Sequence, residues 1–298
     1  MKSPIYIVLM SIALACSSKK TPDEKEFLES TDSLNQAMPA IDESVVSGLL
    51  EQIPSPLEIS VLLKESGTKY NSSILNEPGN ISKYNTNYKK ALNLGIYGAD
   101  LGYTNIYGQK MEGVRYLSSI KTLADDLSIG QFFDIVTISK LASNSDNLDS
   151  LLLVTTQNFN SINQYLQSQN RANVSVMLLV GGWIEAMQII CGVASQNLQN
   201  KALIERIGEQ KIILEQIVIL LTYYQNDQQL ALLLEDLQGL KTIFDKVSIT
   251  YTYKESTMEI VNGVAVIKDN STSSINITKE VTMEIIDKIS AIRNKIIS

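Results

Sequence analysis

Along most of this chain, apolar side chains return every three or four positions, the spacing of one buried helical face. Leu148, Leu151, Leu152, Thr155, Phe159, Ile162 and Leu166 form one such row. Leu203, Ile207, Leu214, Ile217 and Leu221 form a second, and Leu230, Leu233, Leu234, Leu237, Leu240 and Phe244 a third. Breakers divide the pattern. Pro54-Ser55-Pro56 ends a short helix at 41–53, and Pro56 suits the first turn of the next, which runs over 56–65 before Gly67. The polar stretch 68–82, with Asn76-Glu77-Pro78-Gly79-Asn80, predicts a loop. Further helices are expected at 84–107, 109–127, 131–142, from Leu148 onward, at 173–195 and 200–224, and after the Asn226-Asp227 turn.

The period changes near residue 247. Val247, Ile249, Tyr251 and Tyr253 alternate with Ser248, Thr250 and Thr252, the two-residue period of a strand. Residues 258–261, then Asn262-Gly263, then 264–267 read as a hairpin with a tight turn. A loop over 268–274 and a short strand at 274–277 precede a last helix starting near Thr278, with Val281, Ile285, Ile289, Ile292 and Ile296 on one side. The expected fold is mainly α. An antiparallel multi-helix bundle occupies 41–246, and a small C-terminal β-hairpin and terminal helix over 247–298 pack on it.

The N-terminus has the layout of a signal peptide: Lys2, an apolar run from Ile5 to Met10, and small residues before Cys16. Ala13-Leu14-Ala15-Cys16 resembles a lipobox, in which cleavage leaves Cys as the first residue and its thiol takes diacylglycerol. The domains are then a signal peptide over 1–15, a lipidated polar tether over 16–40 with no apolar period, and the helical domain. More than one acyl chain on Cys16 gives stable anchoring. Ser17 resembles the outer-membrane default of Gram-negative lipoproteins, and Lys19-Lys20 stands where some surface-exported ones carry acids. The expected place is the cell envelope, lipid-anchored on the outer membrane and facing the periplasm.

Charge and composition then prune the chemistry. The formal net charge is −7, and loss of Lys2 with the leader makes it more negative. Nucleic acid is excluded as a partner, since phosphate binding needs a basic footprint. The chain has no histidine and two cysteines, Cys16 and Cys191. That removes Ser-His-Asp and Cys-His catalysis, His-ligated metals and, with Cys16 lipidated, any internal disulfide. No Gly-rich phosphate loop follows a strand. No cofactor, metal or catalytic residue is assigned.

Two stretches stand out. In Gly95-Ile96-Tyr97-Gly98-Ala99-Asp100-Leu101-Gly102-Tyr103, the residues Gly95, Gly98, Ala99 and Gly102 share one stripe. Each interior Gly costs a helix about 1 kcal/mol against Ala, so the stripe implies close helix packing, or a ligand groove edged by Tyr97 and Tyr103. Seven of the thirteen tyrosines lie between Tyr70 and Tyr116. Asp100 falls off the stripe, on a polar flank with Lys89, Asn93 and Thr104, and reads as solvated. Asp125-Asp126 reads as the solvent side of a helix end. The second stretch, residues 174–194, has a single charge, Glu185, and nearly the length of a membrane span. A mid-depth carboxylate in lipid costs at least about 2–3 kcal/mol, so this is a core helix, Glu185 its candidate buried acid and Cys191 a small core residue. Asp32-Ser33-Leu34 and Asp149-Ser150-Leu151 resemble an O-glycosylation signal of Bacteroidetes envelope proteins.

Residues 88–101 and the ending Ile292-Arg293-Asn294-Lys295-Ile296-Ile297 resemble helical lipoproteins of Bacteroidetes. The resemblance implies location and architecture and carries no activity over. The expected function is that of a non-enzymatic scaffold or binding module of the envelope, with the membrane as one partner through the lipid and another envelope protein as the second. The competing classes are a carboxylate-dependent envelope enzyme built on Glu185 and a carrier of an apolar ligand within the bundle.

Overall fold

The computed structural model describes Gly48 and residues 56–65, 67–133, 148–261, 264–268 and 270–298. The leader, Cys16, the tether, all of the helix expected at 41–53 except the helical Gly48, residues 134–142 and the Asn262-Gly263 turn lie outside the described residues. Helix α1 is Pro56–Glu65. The connector after it holds two 3-10 turns, Ser72–Ile74 and Pro78–Lys83. Then come α2 (Asn87–Ile106), α3 (Lys110–Asp126) and α4 (Leu148–Ser168). They are followed by α5 (Ala172–Ser195), α6 (Lys201–Thr222) and α7 (Gln228–Phe244). Strands β1 (Ser248–Thr252), β2 (Thr257–Val261), β3 (Val264–Lys268) and β4 (Thr272–Asn276) lead into the terminal helix α8 (Lys279–Ile297).

Local chemistry sets these boundaries. The side chains of Thr86, Asn200, Asp227 and Thr278 each accept a hydrogen bond from a backbone N–H in the first turn of the helix that follows. Such caps satisfy donors that have no partner inside the helix. Gly108 closes α2 at φ 69°, a left-handed conformation that favours glycine. The helix expected at 131–142 differs in its described part, where Gly130–Phe133 forms a 3-10 turn.

Helix α5 is the axis of the bundle. It packs against α1, α2, α4, α6 and α8, and side chains all around it, from Val174 to Cys191, are buried. That is why its sequence lacks a polar face. It is long and apolar enough to cross a membrane, yet 83% of its most apolar window is buried inside the protein. Its closest neighbour is α2. A Cβ on Gly95 would collide with the Leu178 carbonyl oxygen, and one on Gly181 would collide with the Leu92 carbonyl oxygen. The two helices therefore touch backbone to backbone.

β1 pairs antiparallel with β4, from Ser248↔Asn276 to Thr252↔Thr272. β2 pairs with β3, from Thr257↔Lys268 to Val261↔Val264. The second pair is nested inside the first, so one two-stranded ribbon leaves the bundle and returns. Its base rests on α6, where Ile275 of β4 and Val247 lie against Gly208. The loop expected at 268–274 is shorter than that, because β3 reaches Lys268 and β4 begins at Thr272. Helix α8 then folds back onto α5, α7 and α2, with Val281, Ile285, Ile289, Ile292 and Ile296 buried. The chain is a mainly α bundle with a small C-terminal ribbon and a terminal helix.

Candidate functional site

Helices α2, α5 and α8 each send one ionisable side chain to the same interior point. Glu185 of α5 is fully buried. Arg293 of α8 grips it as a fork, with Nε to Oε2 at 2.9 Å and Nη2 to Oε1 at 2.9 Å. The partner is 108 residues away in sequence, so no local pattern announces it. Two parallel donors to two carboxylate oxygens make the strongest side-chain pairing available to these groups. Burial works against the Arg293 charge, and the Glu185 carboxylate more than offsets it, so the guanidinium holds its proton more tightly than in water.

Asp100 of α2 completes the cluster and overturns the expectation of a solvated flank. It is wholly buried. The helical wheel placed it correctly away from the glycine stripe, but the 71–84 connector and α8 cover that side. Asn76 donates its backbone N–H to Asp100 Oδ2 at 3.3 Å, and Asp100 Oδ1 faces no donor. Burial first, and the charge of Glu185 second, push the Asp100 carboxyl well above the usual carboxylate range. Arg293 and the Asn76 N–H pull the other way and prevail over neither.

A shell of amides and phenols surrounds the three side chains. Asn76 donates through Nδ2 to the Tyr84 hydroxyl at 3.0 Å and to Asn93 Oδ1 at 3.4 Å. Asn93 donates in turn to the Lys89 and Ile296 carbonyls. The Tyr116 hydroxyl donates to the Asn76 carbonyl at 2.9 Å, and Ser119 donates to the Pro78 carbonyl at 3.1 Å. The connector, which lacks regular pairing, thus has its backbone satisfied by side chains from α2 and α3.

The tyrosines serve the same end. Tyr97 and Tyr103 are fully buried. Tyr97 donates to the Glu77 carbonyl at 2.9 Å, and the Tyr103 hydroxyl accepts the Asn71 N–H at 3.2 Å. Burial raises both phenols, that of Tyr103 to about 12. Tyr70, Tyr103 and Tyr107 form one ring cluster, and Tyr84, Tyr97 and Tyr116 another. Of the glycine stripe, Gly95 makes the close helix approach, Gly102 is half-buried, and Gly98 is exposed with open space where a Cβ would stand. The stripe therefore splits into a packing contact and a surface position.

The other sequence candidates fall outside this cluster. Asp125 and Asp126 pair with Lys121 and Lys90 near the surface. Cys191 is a free, buried thiol that burial pushes up. Among the described residues, no three acids or cysteines are placed to hold a metal ion. An open groove of about 270 Å³ lies between the start of α6, β4 and the start of α8, where its one acid, Glu205, pairs with Lys201 at 3.4 Å.

Sequence reasoning found Glu185, because one charge in an apolar helix is conspicuous. It missed Arg293 and Asn76, which carry no local signal beyond being polar. A comparison with family models, curated proteins and solved structures finds no match for the chain.

Proposed function

We propose that this chain is a lipid-anchored lipoprotein of the cell envelope, held by Cys16 on the outer membrane facing the periplasm, and that it works as a non-enzymatic scaffold or binding module. One observation supports the binding reading over the carboxylate enzyme. The acid best placed for chemistry, Glu185, is neutralised by a bidentate arginine in a closed interior. A general acid or base must reach a substrate, and this one is held by Arg293 beside Asp100 instead. The polar cluster thus holds the bundle together and leaves the surface to meet partners. That surface includes Tyr251, Tyr253 and Met258 on the ribbon, with exposures of 64, 72 and 72%. Aromatic and Met side chains in contact with water are common anchors of protein recognition.

The test starts with anchoring. The full-length chain and its Cys16→Ser variant are expressed in a diderm bacterium and separated into membrane and soluble fractions. The expected result is an acylated N-terminal cysteine and membrane recovery for the first, and soluble periplasmic protein for the second. Equal soluble recovery of both, with Cys16 unmodified by mass spectrometry, would overturn the anchoring. For binding, a photo-crosslinker at Tyr251 is expected to trap one defined envelope protein. Crosslinks no different from those made from the surface of α7 would overturn a binding role for the ribbon.

A further inference from the structure

We infer that Asp100 is kept as a neutral acid whose Oδ1 proton is donated to Glu185, so that the α2–α5–α8 junction is a latch closed by one proton. The charge count leads there first. Two carboxyl groups and one guanidinium meet in a buried space, and with all three ionised the junction carries an uncompensated negative charge. Burying an unpaired charge is far costlier than neutralising it. The hydrogen bonds lead to the same place. Both oxygens of Glu185 are taken by Arg293. Asp100 Oδ2 takes the Asn76 N–H. Asp100 Oδ1 alone has no donor facing it, while Glu185 lies within hydrogen-bonding reach of Asp100. Two carboxylates cannot bond each other. A carboxylic acid and a carboxylate can, and two acids sharing one proton is a known outcome of such proximity. The orphan atom is thus the one that carries the hydrogen.

The groups around Asp100 leave the proton nowhere else to go. From α5 comes Glu185, from α8 Arg293, from the connector Asn76 and Tyr70, and from α3 Tyr116, while Tyr84 stands beside Arg293 and Glu185. On α2 itself the neighbour is Tyr97. Its phenol and those of Tyr84 and Tyr116 are all raised by burial and stay neutral. Glu112, which accepts from the Tyr70 hydroxyl, adds a negative charge near the Tyr70 and Tyr116 phenols.

The sign of the pH effect follows. The folded chain keeps a proton on Asp100 that the unfolded chain has lost above the ordinary aspartate range. Stability from this group is therefore fully present below that range and declines as pH rises through the folded value. The latch loosens in alkali.

The test uses the full chain and two readouts. Infrared spectroscopy of the native protein at pH 7, where surface acids are ionised, is expected to retain one protonated-carboxyl band, and Asp100→Asn is expected to remove it. Thermal melts from pH 5 to pH 9 are expected to fall more steeply for the native chain than for Asp100→Asn, whose amide supplies the same donor without a removable proton. The variant is expected to match or exceed the native melting temperature at pH 9. Absence of a protonated-carboxyl band in the native protein would overturn the inference, even if the variant failed to fold. So would a pH slope unchanged by Asp100→Asn.

Discussion

Tyr97 donates its hydroxyl to the Glu77 carbonyl at 2.9 Å from a fully buried ring. Replacing it with Phe leaves the ring packing in place and removes one hydrogen bond from a carbonyl that keeps the Asn80 N–H at 3.0 Å, which costs about 0.5–1.5 kcal/mol. Urea unfolding followed through Trp183, the sole tryptophan, checks this; a loss below about 0.5 kcal/mol would mean the bond is idle. Cys191 gives a second prediction. Its thiol is buried and raised by burial, and thiolate is the reactive form. Labelling of Cys191 by a thiol reagent is therefore expected to be slow in the native chain at pH 8 and fast in denaturant. Rapid native labelling would mean that α5 opens to solvent. At this scale the sequence spoke clearly about Glu185 and Cys191, each isolated among apolar neighbours. It misdirected about Asp100, because a helical wheel records only one helix. The Asn76 backbone that covers Asp100 lies in a connector with no periodic signal, and Arg293 arrives from the other end of the chain.

Helix α2 meets α5 through glycines, and the three glycines of its stripe are not equivalent. Gly95→Ala drives a methyl into the Leu178 carbonyl, and Gly181→Ala drives one into the Leu92 carbonyl. Backbone on both sides has little room to yield, so each is expected to cost about 3 kcal/mol or more, at or beyond the upper end of ordinary overpacking. Gly98→Ala meets nothing and should stabilise by about 0.4–1 kcal/mol through helix propensity and a less flexible unfolded chain. Melting temperatures of the three variants must therefore move in opposite directions; a uniform shift would dissolve the backbone contact between α2 and α5. The ribbon behaves differently. Tyr251 and Tyr253 are well exposed, so replacing both with Ser is expected to change stability by less than about 0.5 kcal/mol per site. A larger loss in urea unfolding would mean that the ribbon braces the bundle. Elements were the most legible level of this protein. The 3.6-residue rows from Leu203 to Phe244 are buried where their spacing put them, and the alternation after Val247 became β1. The glycine spacing could name a stripe, but which glycine faces a neighbour depends on where α5 crosses α2.

Over the whole molecule, the described interior is organised around the polar junction where α2, α5 and α8 meet. α5 fills the centre because all its faces are apolar, and its single charge is tolerated because α8 returns with Arg293. Removing one partner of such a pair strands the other in a low-dielectric site at about 3–5 kcal/mol, whereas removing both costs much less. That asymmetry makes the junction measurable. The direct test is a double-mutant cycle in urea with Glu185→Gln, Arg293→Met and their combination, read by Trp183 fluorescence. Strong coupling is expected, near the upper end of the about 0.5–3 kcal/mol found for residues in contact, with Arg293→Met the costlier single change because it leaves two acids facing each other. Additive effects within about 0.5 kcal/mol would mean that Arg293 and Glu185 do not hold the bundle together.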